Sequence, residues 1–150
     1  MLTEGSEAPT FSLTNQNGQR VDLATLRGTP LLIYFYPKAN TPGCTQQTCL
    51  LNDIREQVGE TVILGISPDL PRAQSNFATK YGIEFDLLSD PDHAVAEAYG
   101  VWKEKKNYGK TYMGIERSAF LVGADGRVQR AWYKISPKDT PVKLLEALAA

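Results

Sequence analysis

Six consecutive apolar residues, Leu31-Leu32-Ile33-Tyr34-Phe35-Tyr36, constrain the fold more than any other stretch of this chain. The run is rich in strand formers and shows no polar alternation, so it reads as a strand with neither face in water. Pro37 stops it. Val62-Ile63-Leu64-Gly65-Ile66-Ser67 is a second strand of the same kind. Strands buried on both faces belong in the middle of a mainly parallel sheet covered by helices on both sides.

The rest of the sequence fits around that centre. Phe11-Ser12-Leu13-Thr14 and Arg20-Val21-Asp22-Leu23 read as a short hairpin through Asn17-Gly18. Leu50, Leu51, Ile54 and Val58 have helical spacing, with Gly59 as the stop. Pro71 to Tyr81 predicts a helix with Phe77 and Tyr81 on one face, ended by Gly82. Phe85 to Ser89 is a short strand, and Asp90 or Asp92 caps a helix through Tyr99. Lys103 to Lys110 is polar and is expected to be a solvated, mobile loop. Arg117 to Val122 and Val128 to Tyr133 form a hairpin about Asp125-Gly126. Asp139 or Thr140 opens a last helix, with Pro141 in its first turn and Val142, Leu145 and Leu148 as its apolar stripe. The expected class is α/β: one domain over residues 1–150, in a thioredoxin-like outline with an N-terminal β-hairpin extension. Helices lie on both faces of a central mixed sheet.

Composition narrows the partners. A net charge of −1 with no long run of one sign argues against nucleic acid or an anionic membrane. No stretch approaches the roughly 18–20 apolar residues of a membrane span. Met1-Leu2-Thr3-Glu4-Gly5 has neither the basic nor the apolar segment of a signal peptide, so the expected location is cytoplasmic. There are two cysteines, five residues apart. In a reducing compartment such a pair is rarely a structural staple, though two thiols can also act as small buried hydrophobes.

The chemistry concentrates in Tyr36-Pro37-Lys38-Ala39-Asn40-Thr41-Pro42-Gly43-Cys44-Thr45-Gln46-Gln47-Thr48-Cys49, where a buried strand ends and a helix begins. The crevice at the carboxyl ends of the strands is the usual ligand site of an open α/β sheet. Cys44 falls at the helix start, where unpaired N–H groups and the helix dipole favour an anion. The thiolate is the reactive form of cysteine. Gly43 lets a substrate approach the backbone, Thr41 offers a hydroxyl, and Pro37 and Pro42 stiffen the loop. A thiolate so placed can attack a peroxide oxygen and become a sulfenic acid, which a second thiol condenses with to give a disulfide. Cys49 is a candidate for that second thiol, but geometry objects. Five residues of helix give a rise of about 7.5 Å and a net rotation of about 140°. A disulfide wants Cα atoms within roughly 4.4–6.8 Å. The helix start must therefore unwind, which Gly43 and the poor helix formers Thr45 and Thr48 make easier.

Two other classes remain open from the residues alone. A metal or redox-sensing module would use Cys44, Cys49 and His93, but four-ligand zinc sites need more than these. A surface or capping role suits His93, which follows Asp90-Pro91-Asp92, better. A thioredoxin-type disulfide oxidoreductase would carry Cys-x-x-Cys rather than Cys-x₄-Cys. Trp102 and Trp132 read as core or pocket-lining residues, and Tyr34, Phe35 and Tyr36 as core.

Pro37-x-x-x-Thr41-x-x-Cys44 resembles the peroxiredoxin active-site signature. The longer run from Tyr34 to Thr45, with a cysteine five residues on, is similar to the bacterioferritin-comigratory-protein or peroxiredoxin Q subfamily. Gly5 to Phe11, Gly65 to Asp69, Leu87 to Pro91, Tyr99-Gly100-Val101 and Glu116 to Val122 extend the likeness over nearly the whole chain. The resemblance implies a thiol peroxidase acting on hydrogen peroxide and organic hydroperoxides. Cys44 would be the peroxidatic cysteine and Cys49 the resolving one. Thr41 would hold the peroxide, Pro37 would shield the sulfur, and Arg117 would be the cation beside the thiolate. It further implies an intramolecular Cys44–Cys49 disulfide, recycling by thioredoxin or a similar dithiol, no metal, haem or flavin, and a monomer.

Overall fold

The computed structural model describes all 150 residues, and the apolar run becomes strand β3 (Leu31–Phe35), every residue of which is buried. Its flanks are β1 (Ser12–Thr14), β2 (Arg20–Asp22), a 3-10 turn (Leu23–Leu26), helix α1 (Pro42–Asp53), β4 (Val62–Ser67), helix α2 (Pro71–Tyr81) and β5 (Asp86–Ser89). Helix α3 (Ala94–Ala98), β6 (Trp102–Asn107), β7 (Lys110–Ile115), β8 (Ser118–Val122), β9 (Val128–Trp132) and helix α4 (Asp139–Ala149) complete the chain. The main sheet runs β2-β1-β5-β4-β3-β8-β9. β3, β4 and β5 are parallel, while β1, β8 and β9 join antiparallel, which makes the sheet mixed.

Strand alternation divides the core in two. Leu31, Ile33 and Phe35 face one side with Leu64, Ile66, Phe120, Leu23 and Ala96. Leu32, Tyr34 and Tyr36 face the other with Leu51, Phe77 and Leu144. Helices α1, α2 and α4 cover the second face, and α3 with the 3-10 turn covers the first. This is the expected α/β sandwich with an N-terminal hairpin, β1–β2, at one edge.

Four expectations are corrected. Lys103 to Lys110 is not a loop: β6 and β7 form a separate two-stranded ribbon with Asn107 opposite Lys110. Tyr108 and Gly109 turn it with φ of 51° and 75°, the left-handed pair that a two-residue hairpin requires. The first helix ends at Asp53 rather than running through Val58 to Gly59. There Asn52 is held by tertiary bonds: its side chain donates to the Gly82 carbonyl and accepts from the Glu84 N–H, and its carbonyl takes the Arg55 guanidinium. In α4 the buried positions are Thr140, Pro141 and Leu144; Val142 and Leu148 are exposed. The helix opens at Asp139, as expected, but the Thr140 hydroxyl is seated inward between Gln47 and the Ser136 carbonyl, so the face through Thr140 and Leu144 is the buried one. The predicted helix from Asp90 or Asp92 through Tyr99 is likewise shorter, with both Asp90 carboxylate oxygens accepting from the Val95 and Ala96 N–H groups.

The carboxyl ends of β3 and β4 lie side by side, with Phe35 opposite Ile66. The loops that leave them, Tyr36–Thr41 and Pro68–Leu70, therefore meet. A buried chain of hydrogen bonds joins them: Tyr36 Oη donates to Gln74 at 2.6 Å, Gln74 Nε2 to Ser67 Oγ at 2.9 Å, and Ser67 Oγ to Asp69 at 2.6 Å. The same Asp69 oxygen accepts the Ala39 N–H at 2.7 Å.

Candidate active site

The loop before α1 is pinned residue by residue. Ala39 is tied to Asp69. Asn40 has a left-handed φ of 63°, and its Oδ1 accepts from Tyr81 Oη at 3.2 Å. Thr41 Oγ1 donates to the Lys38 carbonyl at 2.7 Å, which closes the turn and leaves its oxygen lone pairs free to accept. Thr41 is the N-cap residue, Pro42 occupies the first helical position, and the Thr45 N–H bonds the Thr41 carbonyl at 2.8 Å. Proline suits that place because its missing N–H would have no helical partner.

Cys44 is thus the third residue of α1, near the orphan amides of the helix start, and is 1% exposed. Arg117, just before β8, reaches it from across the sheet: Nη2 lies 3.4 Å from Cys44 Sγ. The guanidinium is held on its other side by Gln47 Oε1, which accepts from Nη1 at 2.7 Å. Gln47 is fully buried, and its Nε2 donates to Thr140 Oγ1 at 2.9 Å. Thr140 in turn donates to the Ser136 carbonyl at 2.9 Å. Arg117 is further fixed by its backbone, whose carbonyl accepts the Ile135 N–H at 2.9 Å. It forms no ion pair, so no carboxylate neutralises it. A cation this close stabilises negative charge on sulfur and on an oxygen leaving from it.

Gly43 has a specific reason to lack a side chain. A Cβ there would come within 3.2 Å of Arg117 Nη2 and 3.6 Å of Pro137 Cγ. It keeps the approach open for the guanidinium, where the sequence suggested an approach for substrate.

Cys49 is half-buried on the same unbroken helix, and both sulfurs are free thiols. Burial first, then the carboxylate of Asp53 one turn on, raises the Cys49 thiol above its ordinary range. Tyr34 Oη, fully buried beneath the helix, shares a hydrogen with Thr48 Oγ1 at 2.8 Å, and burial drives its phenol far up, so it stays protonated. Pro37 sits half-buried directly after the strand. The structure thus brings Cys44, Gly43 and Arg117 together, sets Thr41 at the helix cap, and keeps Cys49 apart. Gln47 was missed; a glutamine inside a helix reads as solvated, and its partners lie 70 and 93 residues away.

His93 lies at the start of α3, stacked on Trp102 with ring centroids 3.9 Å apart and paired with Glu97 at 3.0 Å. No three His, Cys, Asp or Glu side chains cluster as a metal-holding group. No helix is long and apolar enough to cross a membrane.

Comparison with known proteins agrees with this geometry. Residues 5–131 match the AhpC/TSA family. The chain is 46% identical over 149 residues to a putative peroxiredoxin Bcp of Haemophilus influenzae, covering 98% of this chain and 96% of that one. It is 43% identical over 146 residues to peroxiredoxin Bcp of Bacillus subtilis, covering 96% and 93%. Among solved structures, the bacterioferritin comigratory protein of Xanthomonas campestris superimposes with a TM-score of 0.91 at 37% identity, covering 98% of each chain. A cysteine mutant of Xylella fastidiosa PrxQ does so with 0.93 at 30% identity, covering 99% and 96%. A reactive-looking thiol under an arginine, on this sheet and in these relatives, has one reading: the chain belongs to the AhpC/TSA family and is a thiol-dependent peroxiredoxin of the Bcp or peroxiredoxin Q kind.

Proposed function

We propose that Cys44 is the peroxidatic cysteine, Cys49 the resolving one, and that residues 1–150 act as one domain in a two-cysteine cycle. The contact of Arg117 Nη2 with Cys44 Sγ, at 3.4 Å, carries the reading. In the first step the Cys44 thiolate attacks the terminal oxygen of a hydroperoxide. The O–O bond breaks, an S–O bond forms, and the alcohol or water leaves after taking a proton; sulfur is oxidised to the sulfenic acid. Arg117 stabilises the charge that develops on the departing oxygen. The Thr41 hydroxyl, its hydrogen already given to Lys38, accepts from the O–H of the peroxide. Pro37, which has no N–H to compete for the peroxide, walls the loop side of the sulfur.

In the second step the Cys49 thiol displaces hydroxide from the Cys44 sulfenic acid, giving a disulfide and water. Cys44 and Cys49 share the intact helix Pro42–Asp53, so this step needs its first turns to open. A thioredoxin-type dithiol then exchanges with the disulfide, returning both thiols and leaving oxidised itself. The solved X. campestris relative is described for alkyl peroxide reduction, which supports organic hydroperoxides beside hydrogen peroxide as substrates.

The test follows peroxide consumption with thioredoxin, its reductase and NADPH. Cys44→Ser is expected to abolish turnover. Cys49→Ser is expected to lose cycling while still consuming one peroxide per chain in a single turnover. Full activity in Cys44→Ser would overturn the assignment.

A further inference from the structure

The β6–β7 ribbon stands apart from the main sheet and brings a group of cations to the edge of the site. Lys103, Lys105 and Lys106 of β6, Lys134 after β9, and Arg117 itself border one open cleft of ≈ 410 Å³. Arg117 is shared: it lines this cleft and also donates to Cys44 Sγ. By strand alternation Lys103 and Lys105 project to the same side of the ribbon, and both are half-buried. Tyr112, paired with Lys105 across the ribbon, adds an aromatic wall.

These cations lack anions. The ion pairs of the chain are Arg55–Glu84, His93–Glu97, Arg127–Glu7, Arg130–Glu4 and Lys143–Glu146, and none involves the cleft. Glu104 and Glu116 also border it, but neither comes within 4.0 Å of a cleft cation. Five cations against two carboxylates leave three positive charges in excess. Burial first, then the neighbouring Arg117, pulls the Lys105 ammonium below its ordinary range, while Cys44 and Glu116 act the other way. A half-buried lysine beside an arginine, with no ion-pair partner, concentrates positive potential at the cleft and favours an anion there.

We propose that this cleft is an anion subsite continuous with the peroxidatic centre, and that it seats the carboxylate of a carboxylate-bearing organic hydroperoxide while the peroxide group reaches Cys44. The proposal rests on Cys44 as the reacting sulfur. The carboxylate takes no part in the redox step; it adds binding that a neutral peroxide of the same shape lacks. Such an attraction acts across a few ångströms of partly solvated cleft and weakens with salt, since the Debye length is about 10 Å at 0.1 M.

The test compares three probes of one skeleton: cumene hydroperoxide, its para-carboxylate, and the methyl ester of that acid. kcat/KM is measured for each with the wild type and with the Lys103→Gln, Lys105→Gln double variant. The wild type is expected to favour the acid over the ester roughly five- to tenfold at low ionic strength, with the preference shrinking as salt rises. In the double variant the acid-to-ester ratio is expected to fall close to one. Because it is a ratio within each protein, a general loss of folding does not move it. Equal rates for acid and ester in the wild type would overturn the subsite, as would a preference that survives both substitutions. Failure to turn over cumene hydroperoxide itself would instead count against the peroxidase reading.

Discussion

At the scale of single residues, the site depends on a neutral side chain. Gln47 accepts from Arg117 and donates to Thr140, so it fixes the guanidinium without cancelling its charge. Gln47→Leu keeps the volume and removes both bonds. Losing a hydrogen bond to a charged group costs about 1.5–3 kcal/mol, so the rate constant for the first peroxide step is expected to fall about tenfold or more. Gln47→Glu, which keeps an acceptor but sets a carboxylate against the guanidinium, is expected to stay slow as well. Stopped-flow tryptophan fluorescence reads this step, and an unchanged rate in Gln47→Leu would show that its role is packing alone. Cys49 offers a pH-dependent counterpart. Its thiol is raised by burial and by Asp53, so its thiolate fraction grows only at higher pH than for an ordinary cysteine. Asp53→Asn removes the repelling charge and must shift the rise downward. In a Cys44→Ser background, alkylation of Cys49 by iodoacetamide at pH about 8 is therefore expected to speed up. An unchanged or slower rate would mean that Asp53 does not act on the sulfur. The place of Thr41 and Cys44 at the helix start could be read from their order in the sequence, whereas the reason for Gly43 could not. Nor could Gln47, because its partners, Arg117 just before β8 and Thr140 in α4, are brought near only in the folded chain.

Among the elements, α1 carries the heaviest demand. It must be whole for Arg117 to meet Cys44 and must open for Cys49 to do so. Its start has the means: a glycine, two threonines and no side-chain cap bond from Thr41. Its end is anchored through Asn52 to Gly82 and Glu84. Opening is thus expected to run from the N-terminus and stop short of Asn52. Deuterium exchange in peptides covering Pro42–Thr48 is expected to rise on oxidation of the wild type by one equivalent of peroxide. Oxidised Cys49→Ser is expected to stay protected. Equal protection in both would rule out the opening. The β3 and β4 strands were legible because continuous apolar runs leave few alternatives. The β6–β7 ribbon was not: it is wet on much of both faces, so Lys103-Glu104-Lys105-Lys106 shows none of the alternation that a half-buried strand displays. The end of α1 was misplaced for a related reason, since Val58 is buried and spaced like a helical residue yet lies beyond the helix.

For the molecule as a whole, the two-sided core explains how one end of the sheet can be remodelled while the rest holds. Leu51 and Leu144 anchor α1 and α4 on one face, and an independent set around Phe35, Phe120 and Tyr99 fills the other. The sandwich class was legible from the order of strands and helices. The division of labour between its faces was not, because it depends on which helix lies on which side. Both sulfurs ride one continuous helix, and this would make the proposed two-cysteine cycle a race. An oxidised Cys44 would wait for the helix to open, and a second peroxide arriving first would carry the sulfur up to the sulfinic acid, out of reach of Cys49. With scarce oxidant the helix would win and the cycle would close; in a flood the oxidant would win. In that cycle the opening time of a few helical turns would set the peroxide level at which turnover stops.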